Sequence, residues 1–173
     1  MTNAPARRTK HRVAVYPGTF DPITHGHSHL VERAAKLFDT VIVAVAVAHH
    51  KKTLFSLSER LEMTAGVLAH VSEISEIKVM SFEGLLRDFC VANGVHAVVR
   101  GVRTVTDFDY EANMAGMNRD LMPDVETIFL TPAKQHQFIS STFVREISTL
   151  GGDVSGFVAP LVVYKLASKL ASK

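Results

Sequence analysis

Residues 41–47 read Val41-Ile42-Val43-Ala44-Val45-Ala46-Val47, seven apolar residues in a row, five of them β-branched. No polar residue alternates with them, so neither face of such a strand can meet water. A strand covered on both faces belongs to a parallel sheet with helices above and below it. A transmembrane helix needs about 20 apolar residues, so the run is too short for one. The rest of the chain must therefore supply more strands and enough helix to cover two faces.

It does so in alternation. Strands are expected at 13–16, 41–47, 77–81, 95–100 and 125–130. Apolar residues at helical spacing predict helices over 27–38, 83–93, 107–121, 140–150 and 160–172. Ser56-Leu57-Ser58-Glu59 reads as a capping box opening a further helix to about His70. Gly94 and the pair Gly151-Gly152 read as helix stops. Five strands separated by helices define an α/β chain with a doubly wound five-stranded parallel sheet and C-terminal helices. Ligands of such sheets bind beyond the carboxyl ends of the strands, at the switch point. Functional residues are therefore expected near 17–27, 48–52, 82–86, 100–111 and 131–142.

Composition narrows the class. At 173 residues and 47% hydrophobic, the chain suits one folded domain, expected over 13–173. Residues 1–12 are basic and polar (Arg7, Arg8, Lys10, His11, Arg12) and predict a solvated tail. That segment has no apolar core of the kind a secretory signal carries, so a cytoplasmic protein is expected. A net charge of +2 gives no reason to expect nucleic acid as a partner, and the lack of a long apolar run gives none to expect a membrane. The single cysteine, Cys90, excludes an internal disulfide and a multi-cysteine zinc site. Its apolar helical surroundings predict a packed thiol rather than a nucleophile.

Three common chemistries lack their motifs. The sequence has no G-x-x-x-x-G-K-[ST], no G-x-G-x-x-G and no G-x-S-x-G. Four strand ends carry unusual residues instead. The first junction is Tyr16-Pro17-Gly18-Thr19-Phe20-Asp21-Pro22-Ile23-Thr24-His25-Gly26-His27. A helix starting near Gly26 offers free N–H groups to a phosphate, and the glycine lets the backbone approach it. His27 can donate to a phosphoryl oxygen and Thr19 adds a hydroxyl. His25, His27 and His29 fall two apart, on different helix faces, which disfavours a shared metal.

After the second strand come His49-His50-Lys51-Lys52, a basic loop in which one lysine can hold a phosphate as a point charge. Arg100-Gly101-Val102-Arg103 sets two arginines about a glycine, a natural phosphate clamp. Glu111 on the next helix can accept from a ribose, an arginine or a metal-bound water. Ile139-Ser140-Ser141-Thr142-Phe143-Val144-Arg145 places hydroxyls at a helix start, as caps or as a second polyphosphate site that Arg145 can reach.

Thr24-His25-Gly26-His27, paired with Ile139 to Arg145 about 115 residues downstream, resembles the nucleotidyltransferase superfamily with its T/H-x-G-H signature. Within it, the chain is similar to the bacterial phosphopantetheine adenylyltransferase family. The likeness rests on Tyr16 to Thr24, on Arg100 to Arg103 with Asp107-Phe108-Asp109-Tyr110-Glu111, and on Met117-Asn118-Arg119-Asp120-Leu121-Met122-Pro123. It implies a Rossmann-like fold and transfer of an adenylyl group from ATP to 4′-phosphopantetheine, giving dephospho-coenzyme A and pyrophosphate in coenzyme A biosynthesis. It also implies Mg²⁺ held mainly by the ATP phosphates, with no metal site of the protein's own, and a homohexamer.

Residue roles follow by position. Thr19 and His27 are implied to stabilise the α-phosphate in the transition state. Lys51 and Arg100 are implied to hold the acceptor phosphate, and Leu86 to line the pantetheine arm. Phe20, Gly101, Val102, Arg103, Glu111, His136, Gln137, Phe138, Ile139, Ser140, Ser141 and Thr142 are implied to hold ATP. Two positions depart from the family: Asn often stands where His25 is, and an aromatic or other residue where His136 is.

The implied reaction is direct in-line attack without a covalent intermediate. Catalysis is then positioning and charge stabilisation, and an already ionised phosphate nucleophile needs no strong base. Rival readings change the acceptor to nicotinamide or nicotinate mononucleotide, change the transfer to cytidylyl, or make the chain a non-catalytic nucleotide-binding module. A nucleic-acid binder built on the basic tail is a further rival.

Overall fold

The structure is a computed structural model that describes residues 11–47 and 52–171. Its five strands are β1 (Val13–Gly18), β2 (Thr40–Ala46), β3 (Glu76–Phe82), β4 (Ala97–Gly101) and β5 (Glu126–Leu130). They form one parallel sheet in the order β3-β2-β1-β4-β5. From β1 the chain winds outward to β2 and β3, then returns to lay β4 on the other side of β1. The switch point is therefore the crevice between β1 and β4, where Val15 lies between Ile42 and Val98.

The β2 run behaves as its composition requires. Val41, Val43 and Val45 enter one apolar core and Ile42 and Ala44 the opposite one. The larger core is closed by α1 (His25–Ala35), α2 (Leu57–Leu68), α5 (Ser141–Thr149) and α6 (Pro160–Ala171), through residues such as Val31, Met63, Val144 and Leu166. The smaller is closed by α3 (Leu86–Ala92) and by Met122, just past α4 (Val105–Leu121). Each fully buried valine or leucine contributes about 1.5–3 kcal/mol, so the two cores dominate the stability of the sheet. Among the described residues, no helix is long and apolar enough to cross a membrane.

Local chemistry sets the element ends. Ser56 accepts from the Glu59 N–H at 3.3 Å while the Glu59 carboxylate accepts from the Ser56 N–H at 2.7 Å, the expected capping box. Gly94 and Gly151 stop their helices with φ of 58° and 81°. Several expected boundaries move by up to three residues: α1, expected over 27–38, runs His25–Ala35, and the helix predicted from residue 83 begins at Leu86, because Gly84 takes φ 78° and Leu85 is extended. Two short 3₁₀ turns, Ala69–Glu73 and Lys134–His136, were not foreseen. At the end of the expected tail, the His11 ring bonds Thr40 Oγ1 at 2.8 Å and the Arg12 N–H donates to Asp39 at 2.7 Å.

Cys90 is fully buried in the smaller core, and burial pushes its thiol up to about 11. A thiol-specific aromatic disulfide at pH 8 is expected to leave the native protein unmodified and to label one thiol per chain after urea unfolding. Rapid labelling of the native protein would show that the thiol is not packed.

Candidate active site

The site begins at the turn between β1 and α1. Phe20 adopts φ 48°, which swings its ring back over Gly18. A Cβ at Gly18 would lie 2.8 Å from that ring, so only glycine fits. The Asp21–Pro22 peptide is cis. The buried Asp21 carboxylate accepts from the N–H groups of Leu54 at 2.9 Å and Phe55 at 3.0 Å, and Arg145 lies 3.5 Å from it.

Beneath the turn lies Arg60, 1% exposed. Its Nη1 donates to the carbonyls of Thr19 at 2.7 Å and Ala46 at 2.8 Å, and its Nε to Phe55 at 3.3 Å. One guanidinium thus ties the end of β2, the start of α2 and the β1–α1 turn together. Arg60 was not singled out from sequence. The signal was its place on α2 beside Met63 and Thr64, on the face that the helix buries.

Thr24 caps α1, and both its backbone N–H, at 3.0 Å, and its Oγ1, at 2.9 Å, face Nδ1 of His27. The His27 ring meets Phe20 edge-on, with centroids 5.2 Å apart, and tilts against Tyr16 at 6.3 Å. Burial pushes the imidazole down to about 4, and the Arg103 charge adds to the effect. His27 is therefore neutral near pH 7. Burial likewise raises the Tyr16 phenol well above its ordinary value.

Two cavities meet at His27, at the carboxyl end of the sheet. The larger, about 640 Å³, reaches from Thr19 and Arg100 past Phe82 and Leu86 to Met114 and Met117 on α4. The smaller, about 200 Å³, lies among Gly26, Arg103, His136, Ile139, Ser140 and Ser141. Tyr16, His27 and Gly101 border both. Most of the predicted residues therefore converge at the switch point. Phe20, implied for ATP, lines the larger cavity rather than the smaller.

The two arginines do not form one clamp. Arg100 faces the larger cavity and Arg103 the smaller. Arg100 donates Nε at 2.7 Å and Nη2 to the Glu111 carboxylate, and Nη1 at 3.1 Å to the Pro17 carbonyl. Of the three partners open to Glu111, the structure selects the arginine. Three of the five guanidinium N–H donors are engaged, which leaves two for a ligand. Arg103 pairs with Asp107 at 3.2 Å and donates to the Ile139 carbonyl at 3.2 Å.

Other expected residues stand outside both cavities. Val102 is buried, with its N–H on the Leu130 carbonyl at 3.0 Å. Gln137 donates to the Arg103 carbonyl at 3.0 Å, bracing the wall rather than entering it. Phe138 is 82% exposed beside a separate apolar recess. Thr142 lines a third recess with Lys52 and Arg145. Lys51 lies outside the described residues.

Arg145 meets only one of the hydroxyls expected of a polyphosphate site, with Nη2 3.4 Å from Thr142 Oγ1. It donates to the Asp21 carbonyl beside its carboxylate contact, while the Ser141 hydroxyl donates to the Pro22 carbonyl at 2.8 Å. The α5 start, read from sequence as caps or a second polyphosphate site, is thereby docked onto the β1–α1 turn. His25, His29 and His136 cluster at the rim, with the His29 and His136 rings 5.3 Å apart. Burial and the neighbouring His136 lower both His25 and His29.

The profile of the cytidylyltransferase-like family matches residues 15–147. Solved structures with this fold include Plasmodium falciparum nicotinic acid mononucleotide adenylyltransferase complexed with NaAD (TM-score 0.68, 18% identity, 91% of this chain and 95% of that one). Another is a bifunctional NMN adenylyltransferase/ADP ribose pyrophosphatase from Francisella tularensis (TM-score 0.71, 15% identity, 93% of this chain and 50% of that one). Sequence likeness is much higher elsewhere. A phosphopantetheine adenylyltransferase of an Acidovorax species is 64% identical over 92% of this chain and 95% of its own. That of Paraburkholderia phymatum is 56% identical over 92% and 94%. The chain belongs to the phosphopantetheine adenylyltransferase family.

Removing Arg60 would strand the buried Phe55 carbonyl and the part-buried carbonyls of Thr19 and Ala46. Arg60→Met is expected to lower unfolding free energy by about 3 kcal/mol, the scale of breaking a buried charged network. Urea denaturation measures it, and a change below about 1 kcal/mol would show that the turn stands without the guanidinium.

Proposed function

We propose that this chain transfers the adenylyl group of ATP to 4′-phosphopantetheine, releasing pyrophosphate and forming dephospho-coenzyme A. The observation that carries this reading is the meeting of two unlike cavities at His27, in a chain at 56–64% identity to phosphopantetheine adenylyltransferases. The larger cavity joins a cationic end at Arg100 to an apolar wall of Phe82, Leu86 and Met114, matching a phosphate on a long, weakly polar arm. The smaller has helix N-termini, hydroxyls and Arg103, matching a nucleotide.

The acceptor phosphate oxygen attacks the α-phosphorus, a new P–O bond forms, and the bond to the β-phosphate oxygen breaks. No proton need move. His27 and Thr19 stabilise charge on the α-phosphate, and Arg100 with Lys51 holds the attacking phosphate. Glu111 acts through Arg100, and Gly101, Arg103, His136, Ile139, Ser140 and Ser141 hold the nucleotide. The contribution is electrostatic preorganisation.

Mg²⁺ would be held by the phosphate oxygens of ATP and would supply charge neutralisation for the pyrophosphate leaving group. The nearby carboxylates are engaged elsewhere, Glu111 by Arg100 and Asp21 by Arg145 and two backbone amides, which favours an ion carried by phosphate oxygens. The reaction is set in the cytoplasm, in keeping with the lone buried thiol. A homohexamer would cover the apolar face of α4, where Tyr110 and Met117 are 63% and 62% exposed.

Pyrophosphate release with ATP and 4′-phosphopantetheine is expected, and with nicotinamide or nicotinate mononucleotide it is not. His27→Ala should lower kcat about 10²–10³-fold and change the KM for ATP far less. Near-normal turnover would remove His27 from the chemistry.

Gly26 supplies a second test. A Cβ there would meet its nearest protein atoms at 3.6 Å, an ordinary contact, so the fold does not demand glycine. Gly26→Ala should keep or raise Tm, since alanine favours a helix, while weakening ATP binding about tenfold. Unchanged affinity would move the nucleotide away from this helix start.

A further inference from the structure

Thr24 is 2% exposed, so its hydroxyl is sealed from bulk water. Its backbone N–H lies 3.0 Å from His27 Nδ1 and its Oγ1 2.9 Å from the same atom. An amide N–H can only donate. Nδ1 is therefore the unprotonated nitrogen, and the imidazole proton resides on Nε2. The hydroxyl, facing the same lone pair, donates as well. A proton on Nδ1 would point at the amide N–H and force the hydroxyl to turn over.

From this geometry we propose that Thr24 is a positioning residue, whose amide and hydroxyl together lock His27 as a neutral donor through Nε2–H. Locked in this way, the ring neither takes nor gives a proton during the reaction. It offers one fixed N–H to the space where its two cavities meet. The other groups about the ring work in the same direction. The Arg103 cation opposes a second proton, Tyr16 and Phe20 enclose the ring, and among the described residues no carboxylate acts on it to favour one. The first residue of T-x-G-H thus acts on its last, three positions on, within one turn of α1.

The kinetic consequence rests on the role proposed above for His27; the tautomer does not. The direct test is ¹⁵N NMR of the full-length protein labelled at histidine, with the His27 signals identified by their loss in His27→Gln. An unprotonated Nδ1 and a protonated Nε2 are expected, unchanged between pH 8 and pH 5. A protonated Nδ1, or signals averaged between tautomers, would overturn the proposal.

Thr24→Val removes the hydroxyl and keeps the amide. The amide still holds the tautomer, but the ring loses one of its two anchors, so the His27 Nδ1 signal is expected to shift and kcat to fall about tenfold with little change in the KM for ATP. Thr24→Ser should restore both to within about twofold. Wild-type kcat and an unaltered spectrum in Thr24→Val would contradict the role of the hydroxyl. Should Thr24→Val fail to fold, the wild-type spectrum still decides. The Nε2–H tautomer in a protein that releases no pyrophosphate would uphold the positioning and defeat the transfer reading instead.

Discussion

A guanidinium almost wholly out of water holds the turn on which both cavities are built. Arg60 reaches the Thr19, Ala46 and Phe55 carbonyls from below, and Asp21 in the same turn takes the Leu54 and Phe55 amides and Arg145. A buried charge is tolerated only where hydrogen bonds replace its water. Here those bonds reach three separate segments of chain. Loss of the network would loosen the end of β2 and the start of α2, and with them the turn that presents Thr19.

The sheet order does the rest of the positioning. Because β4 returns to the far side of β1, Arg100 and Gly101 face the Tyr16–Gly18 end of β1 across the crevice. His27 then stands between a chamber suited to a phosphate on an apolar arm and one suited to a nucleotide. Its ring is neutral at physiological pH because it is buried beside Arg103. A neutral donor adds no charge of its own to a site already holding two arginines. It can thus serve an α-phosphate without taking up a proton.

Much of the fold was legible in the sequence because its signals are local. The β2 run, the Ser56–Glu59 capping box and the Gly94 stop each depend on neighbours a few residues away. The site was legible to the extent that chemistry clusters at strand ends, which brought Thr19, His27, Arg100 and Arg103 forward. Residues whose roles depend on distant partners were harder to read. Arg60 falls on the buried face of α2, but nothing local shows which three carbonyls will meet it. Arg145 sits one turn into a helix that seemed free to face a ligand, yet the Asp21 carbonyl occupies it. Glu111 could have met a ribose, an arginine or a metal-bound water, and only the folded position of α4, which sets Glu111 beside Arg100, selects the arginine.

If ATP and the acceptor occupy the adjoining chambers as proposed, they would react by a single displacement at the α-phosphorus. The configuration at that phosphorus, followed with a single diastereomer of ATP bearing sulfur at the α-position, tests this most directly. Direct transfer predicts inversion in the dephospho-coenzyme A product. Retention would require two displacements and a covalent nucleotidyl-enzyme, and would contradict transfer between the two cavities.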